Sequence, residues 1–402
     1  MTGTTAPVRL DEDVIQDPYS FYRRLREEAP VREALLPRGM KVWVVTRYAD
    51  AREAMTNPDV RKDQRRVQEL VTRHSPAGGS GAFGQDLSSH LLNSDPPDHT
   101  RLRKLVAKAF TMRRVELMRP RVEEITEDLL AGFAGRDEID LVDDFAFLLP
   151  VTVICELLGV PQADRDDFRA WSATLLSAAE HEEIVAASRA MAAYLRQLIA
   201  SKSAAPADDM LSALVLTREE DDLLSETELV SMAFLLLVAG HETTVNLIAN
   251  GTLALLTHPD QLAALRADPA LLPGAVEEFL RYDGPLSHAT LRYTAAPVEI
   301  GGVTIPADEF VLVALASANR DGDRFGEPDD LDITRHAAGH LAFGHGIHFC
   351  LGAPLARLEG QVAIGRLIER FPDLALAVDP GELRWRRSSL LRGLESLPVR
   401  LR

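Results

Sequence analysis

Cysteine is nearly absent from this chain. Cys155 and Cys350 are the only two among 402 residues. Two thiols so far apart match no zinc or redox spacing and build no disulfide framework, which fits a reducing cytoplasm. Positive charge is also short: 44 Lys and Arg stand against 61 Asp and Glu, for a net charge of −17. A chain this acidic offers no general footprint for a nucleic-acid backbone. The N-terminal "MTGTTAPVRLDEDVIQDP" has neither an apolar core nor a basic flank, so neither a signal peptide nor a membrane anchor is expected. No repeat and no composition shift marks a boundary, and residues 1–402 read as one domain. The remainder, 46 % hydrophobic and 26 % charged, is ordinary for a globular enzyme with a large core.

The pattern is mainly α with a small β part. "DPYSFYRRLREEAP" predicts a short helix with Pro18 just inside its start. "MKVWVVTRY" predicts a strand, and "VEIGGVTIPADEFVLVAL" a hairpin turning at Gly301 and Gly302. "RHSPAGGSGAFGQDLSSH" (73–90) is rich in Gly and Ser and should be a mobile loop. Helical periodicity dominates from Asp98 to Tyr282, and a last long helix runs from Leu351 to about Phe371. The most unusual helix begins at Ser225, where Ser225 and Glu228 have capping-box spacing. It is apolar nearly all round and should be buried. Its apolar run from Leu229 to Gly240 is shorter than the ~20 residues that cross a bilayer. A polar island, Gly240-His241-Glu242-Thr243-Thr244, interrupts it. Either one stripe of this helix reaches solvent, or the island is a notch beside a reaction site.

Cys350 lies in "HLAFGHGIHFCLGAPLARLE", just ahead of the last helix. An isolated cysteine is usually a small buried hydrophobe. Here Gly352 removes a side chain beside the sulfur, Gly344 and Gly346 permit tight turns, and Phe343 offers an aromatic face. Unpaired N–H groups at a helix start favour an anion, and a thiolate is a soft ligand for iron. Scattered cations add to this. His99 and Arg103 are i, i+4 on one helix face, Arg292 lies in a strand, and His348 precedes Cys350 by two residues. Each alone reads as solvated or salt-bridged. Together they suit a pair of carboxylates.

"FGHGIHFCLG" (343–352) resembles the haem-binding signature of the cytochrome P-450 family, Phe-x-x-Gly-x-His-x-Cys-x-Gly, at every fixed position. "AGHETT" (239–244) resembles that family's oxygen-activating helix segment. "EFLR" with "LDITR" resembles its Glu-x-x-Arg and arginine triad, here Glu278, Arg281 and Arg335. The resemblance covers nearly the whole chain and favours soluble bacterial members. It implies haem b held between the long central helix and the C-terminal helix, with Cys350 as iron ligand. His99, Arg103, Arg292 and His348 would hold the propionates. Ala239, Gly240, Phe343 and Gly352 would border the porphyrin. Thr243, with Glu242 beside it, would deliver protons to dioxygen. The triad would be a structural network pinning the loop that leads to Cys350.

The resemblance also implies electrons from NAD(P)H through a reductase and a ferredoxin, since the chain shows no flavin or iron–sulfur motif. "RLRKLVAKAFTMRR" (Arg101–Arg114) holds six basic residues and no acid. It reads either as a solvated helix face or as the ferredoxin dock. Family pocket positions point to Phe83, Leu91, Leu92, Leu175, Leu176, Phe234, Leu237, Val238, Leu286, Ala289, Leu390 and Leu391. These suit a bulky, mostly apolar, oxygenated substrate: a macrolide or other polyketide, with a terpenoid or steroid close behind. A peroxide-driven peroxygenase and a non-catalytic haem sensor or electron carrier stay open. A cytoplasmic monomer is expected.

Overall fold

The computed structural model describes residues 6–37, 39–74, 85–176, 180–217 and 222–402, without the side chains at 85, 86, 169, 173 and 176. Its axis is the central helix, Glu226–Thr257. Ser225 accepts from the Glu228 N–H and Glu228 closes the capping box in return. The helix packs against Leu148–Leu157, His181–Ala204, Leu272–Asp283 and the closing helix Ala353–Arg370. This explains its apolar circumference: it has neighbours on every side. Among the described residues it is the one helix long and apolar enough to cross a bilayer, and 67 % of its most apolar stretch is buried inside the protein. Composition therefore passes a test that the uninterrupted run of apolar residues does not.

The larger β sheet has six strands in the order Val8–Arg9, Val31–Leu35, Lys41–Val45, Phe310–Val313, Arg292–Thr294, Val60–Arg61, and a separate three-stranded sheet joins Ala375–Leu376, Pro398–Arg400 and Glu138–Asp140. The hairpin expected after Val298 forms between Val298–Ile300 and Val303–Ile305, with φ of 56° and 77° at Gly301 and Gly302. Both are left-handed values that favour glycine. Beyond it, Phe310–Val313 joins the main sheet instead of extending the hairpin. In the stretch expected to be a loop, a helix Gln85–Ser88 forms, and 75–84 lie outside the described residues.

The long irregular segment between 319 and 335 is held by Glu278, Arg281 and Arg335. Arg281 donates to both Glu278 oxygens at 2.7 Å and to the carbonyls of Asn319, Pro328 and Asp330. Arg335 donates to Glu278 at 3.2 Å and to the carbonyls of Gly326, Glu327 and Asp330. Glu278 and Arg281 are essentially inaccessible to solvent. Six carbonyl bonds from two guanidinium groups fix a stretch of chain that lacks regular structure, and they satisfy backbone groups that would otherwise be buried unpaired.

Candidate active site

The loop Phe343–Gly352 delivers the thiol. The Cys350 N–H donates to Phe343 O at 2.9 Å, closing the loop on itself. Gly344 and Gly346, at φ 73° and 72°, make the turns. At Gly346 a Cβ would also lie 3.2 Å from Met55 O. Cys350 opens on a cavity although it lies deep in the molecule. Burial raises its thiol pKa. The N–H groups of Gly352 and Ala353, at the start of the closing helix, and the guanidinium groups of Arg103 and Arg357 pull the other way. These donors are aimed at a sulfur anion, as a helix start allows.

The cavity encloses about 240 Å³, a little below the roughly 300–1,000 Å³ of a typical small-molecule site, and its walls are mostly apolar. Opposite Cys350, the central helix presents Leu235, Leu236, Ala239, Gly240, Thr243, Thr244 and Leu247 to it. Thr243 Oγ1 donates to Ala239 O at 2.9 Å, and Thr244 Oγ1 to Gly240 O at 3.1 Å.

One end of the cavity is electropositive. Arg103, Arg292 and His348 line it, with Lys62 among them. The His99 and His348 ring centroids lie 4.4 Å apart, with the ring planes tilted by 59°. His99 Nε2, Arg292 Nε and both His348 ring nitrogens are buried without a hydrogen-bond partner. Burial, followed by the charges of Lys62 and Arg292, depresses His348 to about 2, and burial lowers Arg292 to about 10. Buried polar atoms are normally paired. Arg292 Nε and one nitrogen of the His348 ring can each donate, and with Arg103 and Lys62 beside them this rim calls for a group with several anionic acceptors; the carboxylates of a haem whose iron takes the Cys350 thiolate would meet that need. The residues present fit haem.

Several expectations shift. Glu242 does not reach the cavity. Its buried carboxylate pairs with Arg386 of the C-terminal segment and lies 3.8 Å from His241 Nε2. His241 donates from Nδ1 to Leu237 O and accepts at Nε2 from Ser172, and burial lowers its pKa. Of the expected pocket residues, Leu91, Leu92, Leu286 and Ala289 line the cavity. Phe234 and Leu237 are buried on another face of the central helix, Val238 packs against the core, and Leu175 is a core residue. Leu390 and Leu391 form a second layer. Ser287 N donates to Leu390 O at 2.9 Å and Leu286 bridges to Leu391, so this segment backs the wall without lining it. Phe83 and the Leu176 side chain lie outside the described residues. The basic stretch Arg101–Arg114 is partly neutralised from elsewhere. Arg101 pairs with Asp222 and Glu228, Arg114 lies 3.9 Å from Asp208, and Arg103 faces the cavity.

A second network was missed in the sequence. Glu277 accepts from Arg357 at 2.6 and 2.9 Å and from His340 at 3.2 Å, and Arg357 lies over the Phe343 ring. Burial alone would raise the Glu277 carboxyl, but bonds from Arg357 and His340 bring it down to about 2. Glu277 neighbours the triad acid in sequence, which was the one available signal.

A family profile described as Cytochrome P450 matches residues 167–380. The chain is 52 % identical to the vitamin D(3) 25-hydroxylase of Pseudonocardia autotrophica, covering 99 % of this chain and 97 % of that protein. It is 46 % identical to the 6-deoxyerythronolide B hydroxylase of Saccharopolyspora erythraea, covering 99 % of each. Among solved structures it resembles the tirandamycin C-bound P450 monooxygenase TamI, with a TM-score of 0.92, 53 % identity and coverage of 98 % of this chain and 100 % of that one.

Proposed function

This chain belongs to the cytochrome P450 family, and from that premise we propose that it oxygenates a bulky, mostly apolar metabolite of macrolide or polyketide type. It is a haem monooxygenase, using dioxygen and electrons supplied from outside the chain. The observation that carries this reading is one cavity with a thiol on one wall and Ala239, Gly240 and Thr243 on the wall opposite. Bound haem supplies the activation of dioxygen and the insertion of one oxygen atom into a C–H or C=C bond.

The chain's own residues do the rest. Cys350 would hold iron as a thiolate, an anion that the N–H groups of Gly352 and Ala353 favour against the effect of burial. Arg103, Arg292, His99 and His348 take the carboxylates. Ala239 and Gly240 keep the helix surface low where dioxygen must fit. Thr243 Oγ1 gives its own hydrogen to Ala239 O, so its lone pairs face the cavity and accept from a water that carries the proton. Leu91, Leu92, Leu235, Leu236 and Leu286 exclude bulk water and grip an apolar substrate.

The 6-deoxyerythronolide B hydroxylase and the tirandamycin C complex favour a polyketide; the vitamin D(3) 25-hydroxylase favours a steroid as second reading. Titrating the protein with macrolide aglycones and with sterols, and following the Soret shift as the water ligand leaves, separates them. Shifts with sterols alone overturn the first reading. For electrons, the ferredoxin dock narrows to the exposed Lys104, Lys108 and Arg113 beside the exposed Met112 and Leu117. Three cations on an acidic protein steer an acidic partner, and reduction rates should fall as salt rises. Salt-independent reduction counts against this face.

A further inference from the structure

We infer that Lys62 is a further anchor for a haem carboxylate, set opposite Arg292 by strand register. The inference rests on the haem reading above. Val60 pairs with Thr294 and Arg61 with Tyr293 in an antiparallel ladder. The next rung brings position 62 to position 292. Asp95 fixes the turn away from the sheet by accepting the backbone N–H groups of Lys62 and Asp63 at 2.9 and 2.8 Å. The side chain runs into the cavity, where its Nζ donates to Thr290 Oγ1 at 2.5 Å. Lys62 is 3 % exposed, and among the described residues no carboxylate forms an ion pair with its ammonium.

A buried ammonium with one neutral acceptor is a costly arrangement. Burial and the neighbouring Arg292 both lower its pKa, and the Asp95 carboxylate only partly offsets them. Lys62, Arg103 and Arg292 thus face one cavity end, and the one acid influencing Lys62 is already occupied by backbone donors. Two carboxylates entering this end would balance the charge, and Lys62 would exchange a hydroxyl partner for an anionic one. Thr290 keeps the ammonium pointed at that spot, so Thr290 is a positioning residue and Lys62 the binding group.

The test uses haem-loaded Lys62→Met, Lys62→Gln, Lys62→Arg and Thr290→Val. Haem release to a scavenging apo-globin and the iron reduction potential are both measured. Loss of a charge-assisted bond should speed release about 10- to 100-fold in Lys62→Met and Lys62→Gln. Removing a nearby positive charge should also move the potential in the negative direction, because that charge favours the reduced iron. Lys62→Arg should keep the wild-type potential, and Thr290→Val should change release less than Lys62→Met does. Faster release with an unmoved potential, or equal effects of Lys62→Met and Thr290→Val, assigns Lys62 to wall packing and overturns the inference. Unchanged release overturns it as well. A wild-type protein that takes up no haem overturns the reading beneath it, which is a distinguishable failure.

Discussion

Glu242 and Thr243 are adjacent in the chain and face different neighbours. The wall takes the adjacent pairs Leu235–Leu236, Ala239–Gly240 and Thr243–Thr244, and Glu242, turned about 100° back from Thr243, falls off that stripe. Thr243 takes the cavity and Glu242 takes Arg386. Thr243→Ala should therefore keep haem and its absorption spectrum but release more reducing equivalents as hydrogen peroxide, read as product formed per NAD(P)H consumed. Unchanged coupling would remove Thr243 from proton delivery. Arg386→Met should leave the Glu242 carboxylate buried and unpaired. The expected loss is about 3 kcal/mol in urea unfolding, at the low end for a broken buried pair because the Arg386 side chain is 31 % exposed. Adding Glu242→Gln in that background should recover most of the loss. The same geometry shows what was legible. Ala239, Gly240 and Thr243 name one helix face, and that face one turn earlier is Leu235 and Leu236, one turn later Leu247. Phe234 and Leu237 belong to another face, so the register needed to exclude them was already in the sequence.

Helices, strands and the Cys350 loop were readable because each is written in local signals: a capping box at Ser225, Gly301-Gly302 at a turn, a fixed spacing from Phe343 to Gly352. Partners across the chain were not. Glu278 and Arg281 share a helix, and their spacing alone shows a pair, but nothing local says that the carbonyls of Asn319, Pro328 and Asp330 complete the shell. Lys62 went unnoticed for the same reason: its neighbour Arg292 is set by a ladder between strands some 230 residues apart. The basic stretch from Arg101 reads as more positive in sequence than it is in the fold, since the acids Asp222, Glu228 and Asp208 that pair with part of it come from other segments. At this scale, Arg335→Met should withdraw donors from three carbonyls and one carboxylate at once. The expected cost is about 3–5 kcal/mol, seen as a lower urea midpoint and earlier loss of haem absorbance. Gly251→Ala probes helix approach instead. A Cβ there would lie 2.9 Å from Ile364 and Phe279 side-chain atoms, so about 1–3 kcal/mol of overpacking is expected in the same measurement.

The whole molecule ties its pocket wall to its two ends through His288. Its Nε2 accepts from the Tyr22 hydroxyl at 2.6 Å, near the N-terminus, and its Nδ1 donates to Ser389 O at 2.5 Å, near the C-terminus. Both nitrogens are committed to a neutral ring, and burial pushes the imidazole from 6.5 down to about 4. The unfolded chain therefore binds a proton that the folded chain refuses between these values. Stability from this ring is complete above about 6.5 and is lost as pH falls toward 4, by about 3 kcal/mol in total at 1.36 kcal/mol per pH unit. His90, also depressed to about 4 by burial and by Lys62, adds to the same limb. Glu277 acts lower. Its pKa falls from 4.5 to about 2, so its contribution is present above 4.5 and disappears between 4.5 and 2. Urea midpoints measured across pH should show two limbs. His288→Gln keeps a donor and an acceptor but cannot titrate, so it should make the limb between 6.5 and 4 shallower, leaving the His90 share, and leave the lower limb unchanged. Glu277→Gln should flatten the lower limb alone. An unchanged upper limb in His288→Gln would show that this ring is not what couples the two chain ends to acidity.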